Sequence, residues 1–234
     1  MTAVLKRELK AYFYSPIGYV CVGMMMLLYG FYFYQVMLLG SSSNIASVYG
    51  AMFIWGMMFI PIITMRSFSE ETKNKTDQAL LTAPVGVTSI VIGKFLAGFI
   101  VYAIATVGSL VPAIIIGIFS SPSWPLIFGN FLGTLLYGAA MVSIGVFLSS
   151  LTQSQVVAAV ATYGVTIFLL MVDQFSSNIS NAVVQKIIQW ISFNSRYTPF
   201  TKGMLDVSSM VFFLSVIAVF VFLTARKLES RRWS

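Results

Sequence analysis

Apolar residues fall in six long runs, and polar residues gather in the joints between them. The runs extend roughly from Ile17 to Leu39, Val48 to Met65, Ser89 to about Phe119, Leu126 to Leu151, and Val156 to Val172. The last covers Met210 to Ala225 and extends towards Leu228. About 20 apolar residues in a helix cross ~30 Å of hydrocarbon, so the pattern predicts six transmembrane helices and an all-α integral membrane protein. Pro16 falls in the first turn of the first run, where its missing N–H costs nothing. Pro61 and Pro112 predict bends in the second and third runs. The third run exceeds what one bilayer needs, so it should tilt or protrude. Gly129 and Gly133, followed by Gly138 and Ala139, would let another helix approach the fourth run closely.

The joints differ in kind. GSSSN (40–44), SSPSWP (120–125) and SSLTQSQ (149–155) are short and uncharged. Residues 2–15 place Val4, Leu5, Leu9, Tyr12 and Phe13 on one helical face, with Lys6, Arg7 and Lys10 elsewhere, as in a helix lying in the membrane interface. The stretch from Arg66 to Lys94 is the most charged interruption of the hydrophobic pattern. It carries Glu70, Glu71 and Asp77 among Arg66, Lys73, Lys75 and Lys94. Hydrocarbon does not accommodate such a segment, so residues 66–88 are expected to form a loop outside the bilayer. Within it, TDQALLTAP reads as a short helix capped by Thr76, favoured by Asp77 in its first turn and stopped by Pro84. The insert over 173–209 holds a second amphipathic piece. Val183, Val184, Ile187, Ile188 and Ile191 share a face opposite Asn181, Gln185, Lys186 and Gln189. It is too short to span and should lie at the interface or re-enter the membrane. The whole chain, 1–234, reads as one transmembrane domain.

Composition agrees with the pattern. Of 234 residues, 58% are hydrophobic and 9% charged, where soluble domains carry ~25% charge. The net charge of +7 is explained by flanks of spans rather than by a nucleic-acid surface, since no basic patch is interleaved with aromatics. With the N-terminus inside, Lys6, Arg7, Lys10, Arg66, Lys73, Lys75, Lys94, Arg226, Lys227, Arg231 and Arg232 are cytoplasmic. Lys186, Arg196 and Lys202 are then outside. That bias gives six spans with both termini in the cytoplasm. No cleavable leader is apparent, because the first apolar run is too long for one.

Much chemistry is missing. The chain has no histidine and one cysteine, Cys21, so it lacks the usual proton shuttle and metal ligand. Gly93-Lys94 does not belong to a phosphate-binding loop, since Phe95 follows where Ser or Thr is needed. Met24, Met25 and Met26 point in different directions on a helix and read as packing or lipid-facing residues. No metal site is expected, no catalytic residue, and no cofactor on this chain. Carboxylates are absent from the middle of the runs, which argues against a proton- or ion-driven pump. The halves show no repeat of the secondary-transporter kind.

Three stretches resemble one family. KRELKAYFYSPIGYV (Lys6–Val20) is similar to the N-terminal helix and first span of ABC-2 type permeases, the membrane subunits of ATP-binding-cassette transporters. SEETKNKTDQALLTAPVGVTSIVIGKFLAG (Ser69–Gly98) resembles their loop between spans two and three. FTKGMLDVSSMVFFLSVIAVFVFLTARKLESRRW (Phe200–Trp233) resembles their last span and basic tail. The likeness is to the gliding-motility and copper-processing type of single-domain permease. Asn74-Lys75 stands where many members have glycine before the threonine.

The resemblance implies two cytoplasmic ATPase subunits that hold the ATP and Mg. It also implies a second permease, identical or a related membrane protein with an external domain, in contact through spans one and five. A position in the cell membrane, among lipids, follows. The coupling residues would be Glu70, Glu71, Thr76, Asp77, Leu80, Leu81 and Pro84, with Lys6, Arg7 and Lys10 of the N-terminal helix. Val184, Ile187, Ile188 and Ile191 would belong to an extracellular gate. The function expected is export driven by the partner ATPase. The alternative is an anchor that passes mechanical work to an external partner and moves no solute.

Overall fold

The computed structural model describes residues 1–39, 45–76, 85–119, 123–176, 188 and 190–232. Among them the regular structure is helical. The helices are α1 (Thr2–Tyr14), α2 (Pro16–Phe33), α3 (Ile45–Thr64), α4 (Ser69–Lys73), α5 (Val87–Val107), α6 (Leu110–Phe119), α7 (Trp124–Leu151), α8 (Gln155–Ser176), α9 (Phe193–Thr201) and α10 (Val207–Arg232). A π-helical segment, Tyr34–Leu39, continues α2. Six of these stretches are long and apolar enough to cross a membrane: Pro16–Val36, Ala46–Lys73, Val87–Ile118, Trp124–Leu151, Gln155–Val172 and Val207–Arg231.

Pro16 stands at the start of α2, where its missing donor is harmless. The third span breaks at Gly108-Ser109, just before Pro112, whose ring nitrogen could not have donated to Gly108. Val111 N donates to that carbonyl instead, at 3.3 Å. Helix α3 runs through Pro61, and the carbonyls at its end are used. Pro61 O accepts from Met65 N at 2.9 Å and Thr64 O from Ser67 N at 3.1 Å. Ile63 O accepts from the Tyr12 hydroxyl of α1 at 2.7 Å.

Helix α7 is the centre of the bundle. It packs against α3, α5, α8, α9 and α10, and 67% of its apolar window is buried, against 17% for α8 and α10. The sequence that allows this is a ladder of small residues, Gly129, Gly133, Gly138 and Gly145. A methyl group on Gly145 would lie 2.2 Å from Thr64 Oγ1 of α3, and one on Gly133 would lie 2.6 Å from Phe200 Cβ of α9. In lipid the approach of helices rests on close van der Waals contact rather than on expulsion of water. Gly129 and Gly133 therefore admit a short helix of the same chain. Leu27, Val160, Phe168 and Phe222 point outward from α2, α8 and α10.

At one end of the bundle, α9 is nested against α7. Ser192 caps it by accepting from Ser195 N at 2.9 Å. Phe193, Tyr197 and Phe200 are buried, and Tyr197 stacks on Phe53 at 4.8 Å between centroids. Gly203, at φ 73°, lets the chain turn back, and Asp206 then caps α10. Its carboxylate accepts from Ser209 Oγ at 2.6 Å and from Ser209 N at 3.0 Å. Those bonds hold its pKa below the ordinary 3.8. Of the gate residues expected from sequence, Ile188 is half-buried and Ile191 is exposed; Val184 and Ile187 lie outside the described residues.

Candidate functional site

The other end gathers the charges. Helix α1 offers Val4, Glu8 and Tyr12 at intervals of four, one side of one helix. Val4 and Tyr12 are buried, and α1 lies along α5 and α2. Gly93 makes this possible, because a methyl group there would be 3.0 Å from Val4 Cγ1. Helix α5 presents Val87, Ile90, Val91, Lys94, Ala97 and Val101 as its buried stripe. Lys94 thus sits on an apolar face with 2% of its surface exposed.

Four side chains from three elements neutralise each other there. Lys94 Nζ lies 3.0 Å from Glu8 Oε1 of α1 and 3.0 Å from Glu71 Oε2 of α4. It also donates to Ser67 O at 2.6 Å and lies 5.0 Å from the centroid of the Phe68 ring. Arg7 is 2.7 Å from Glu8 Oε1 and pairs with Glu71 as well. Two cations and two carboxylates balance, as a buried charge requires. Arg66 extends the cluster. It pairs with Glu70 at 3.4 Å, donates to Ser15 Oγ at 2.8 Å, and lies 5.2 Å from the Tyr12 ring centroid. The residues surround a polar cavity of about 230 Å³.

Burial works against ionisation of Glu8, but Lys94 and Arg7 prevail and hold its pKa below the ordinary 4.5. Burial raises Tyr12 to about 12, so it stays a neutral donor. The folded protein binds less proton at Glu8 than the unfolded chain does. The stabilisation is therefore complete above the ordinary carboxylate value and disappears as pH falls through the lower, folded value. Glu8→Gln should flatten the acid limb of thermal stability measured between neutral pH and pH 3.

The turn between α3 and α4 is fixed from elsewhere. Ser149 Oγ of α7 accepts from Phe68 N at 3.1 Å and Ser69 N at 3.2 Å, and donates to Met65 O at 3.0 Å. From the end of α10, Arg231 donates to Thr72 Oγ1 at 3.2 Å and to Ser150 O at 2.8 Å. The sequence suggests only a basic flank there; the structure makes Arg231 a brace between α4 and α7. Arg231→Gln is expected to cost about 1 kcal/mol, since the bonds are partly exposed, and to loosen residues 69–76 in hydrogen exchange.

The expected coupling residues divide. Glu71 and Arg7 meet in the cluster, and Glu70 pairs with Arg66 beside it. Lys6 and Lys10 are exposed on α1. Thr76 is exposed and closes the end of α4, its backbone N donating to Glu71 O at 3.0 Å and its hydroxyl at 3.3 Å. Asp77, Leu80, Leu81 and Pro84 lie outside the described residues, as does the helix they were expected to form. Glu8 and Lys94, the two residues that bridge the elements, were not among the expected site residues. The described residues contain no group of His, Cys, Asp and Glu suited to a metal ion.

This arrangement is charge-balanced, and it joins α1 and α4 to the first turns of a spanning helix. Compared with known families, residues 2–231 match the family described as ABC-2 family transporter protein. No curated protein matches the chain.

Proposed function

This chain belongs to the ABC-2 family of transporter proteins, and from that membership we propose that it serves an exporter whose energy comes from separate cytoplasmic ATPases. Membership makes the chain a permease subunit of an ABC transporter, and its six apolar helices make it a multi-pass membrane protein. Two ATPase subunits would sit beneath the charged end, each holding its own ATP and Mg. A second permease, identical or related, would complete the path through the cell membrane. The excess of cations at that end supports its cytoplasmic placement.

One observation carries the reading: buried Lys94 ties α1, α4 and α5 into a single body. A push on α4 or on α1 then reaches the third span through Lys94. Docking is assigned to Leu80 and Leu81, with Lys6 and Lys10 as exposed cations of α1. Leu80→Asp with Leu81→Asp should abolish copurification of the ATPase and remove stimulated hydrolysis. Association and hydrolysis unchanged by both substitutions would refute this docking. Uptake of candidate solutes into inverted vesicles holding the purified complex tests direction. Hydrolysis coupled to movement of an external partner, with no uptake, would favour the anchor reading.

A further inference from the structure

We propose that the groove between the start of α5 and the end of α10 binds a phospholipid carrying a phosphoethanolamine headgroup. The groove has a volume of about 300 Å³, at the lower end for ligand sites. Ala218, Val221, Phe222 and Ala225 form its α10 wall. They belong to a span, so the surrounding solvent is acyl chain. At the mouth the chain changes abruptly from apolar to charged, and there Arg226 and Glu229 stand side by side, 3.2 Å apart. Both line the groove, as does Thr88 of α5.

The headgroup follows from the charges. Arg226 is 67% exposed and lies 5.2 Å from the Phe222 ring centroid, which holds the guanidinium over the apolar wall. A guanidinium in that place takes a phosphate. Glu229, with 41% of its side chain exposed, puts a carboxylate one turn further out. It repels a purely anionic headgroup and accepts hydrogen bonds from a primary ammonium. A quaternary ammonium cannot donate such bonds. The pair therefore matches phosphate and ammonium on one headgroup, with an acyl chain along Val221 and Phe222. The inference needs only a membrane span at α10, so it stands or falls apart from the proposed export.

The test uses the delipidated full chain in detergent, titrated with lipids of identical acyl chains and read by native mass spectrometry. Phosphatidylethanolamine should bind about fivefold more tightly than phosphatidylcholine or phosphatidylglycerol, the size expected of a part-exposed charge pair. Glu229→Gln should remove the preference over phosphatidylcholine and improve phosphatidylglycerol. Arg226→Gln should weaken all three, and Ala218→Trp, on an exposed wall position, should block the groove. Free glycerophosphoethanolamine should not compete, because it lacks the chain. Equal binding of the three lipids, tighter phosphatidylglycerol, or a preference unmoved by Glu229→Gln would overturn the assignment.

Discussion

Lys94→Met is expected to lower stability by about 3–5 kcal/mol, the cost of stranding buried partners of a removed charge. Glu8 and Glu71 keep only 14% and 16% of their side-chain surface, and both face the ammonium. Without it, Arg7 alone must neutralise two carboxylates, and it is half in water already. Ser67 O loses its donor as well. Thermal unfolding of the purified permease, monitored at neutral pH, measures the loss. The triple variant Glu8→Gln, Glu71→Gln, Lys94→Met separates architecture from function. It removes every stranded charge while keeping similar volumes, and whole-cluster neutralisation of this kind is often near neutral in stability. Arg7 can then turn to solvent. The triple variant should regain most of the melting temperature and still bind the ATPase, yet show hydrolysis uncoupled from transport. Full coupling in a stable triple variant would show that force passes by another route.

The hydrophobic pattern exposed the six spans because each is a near-unbroken apolar run; the observed spans start within about three residues of those read from the sequence, while the second runs on to Lys73 and the last to Arg231. The break of the third span was visible in Pro112, although the helix gives way at Gly108-Ser109. The glycines of α7 signalled close approach, but not that α9 from the same chain would be what approaches. That pairing joins residues about 70 positions apart and leaves no local mark. The cluster was half legible. Glu71 and Lys94 stand in the charged interruption of the apolar pattern and Arg7 among the cations of the N-terminal helix, but the sequence reading gives no site role to Glu8 or Lys94. Their signal lay in register: Glu8 falls between Val4 and Tyr12, and Lys94 between Val91 and Ala97-Gly98, each on the stripe its helix buries. A base on one buried stripe and an acid on another require each other.

Gly138→Ala is expected to be the most disruptive methyl addition among the described glycines. An added Cβ would lie 1.9 Å from Tyr102 Cε1 and 2.5 Å from Cδ1. Tyr102 is buried in α5 and has no room to retreat. Its hydroxyl lies 3.3 Å from where a methyl on Gly56 of α3 would stand, and donates to Thr134 O at 3.4 Å. The ring thus occupies the seam where α3, α5 and α7 meet, and moving it separates helices. Overpacking of a dense core costs about 1–3 kcal/mol and sometimes more; here the upper end is expected, seen as a lowered melting temperature and aggregation in gel filtration. Gly138→Ala combined with Tyr102→Leu should recover part of the loss, because the shorter side chain vacates the volume the methyl needs. Gly164→Ala in α8 is the control, since nothing lies within 4 Å of its added methyl; it should be neutral or slightly stabilising, as alanine favours the helix by about 1 kcal/mol. Equal stability of Gly138→Ala and Gly164→Ala would mean that α5 and α7 do not meet through Tyr102, and the packing of the bundle centre would have to be redrawn.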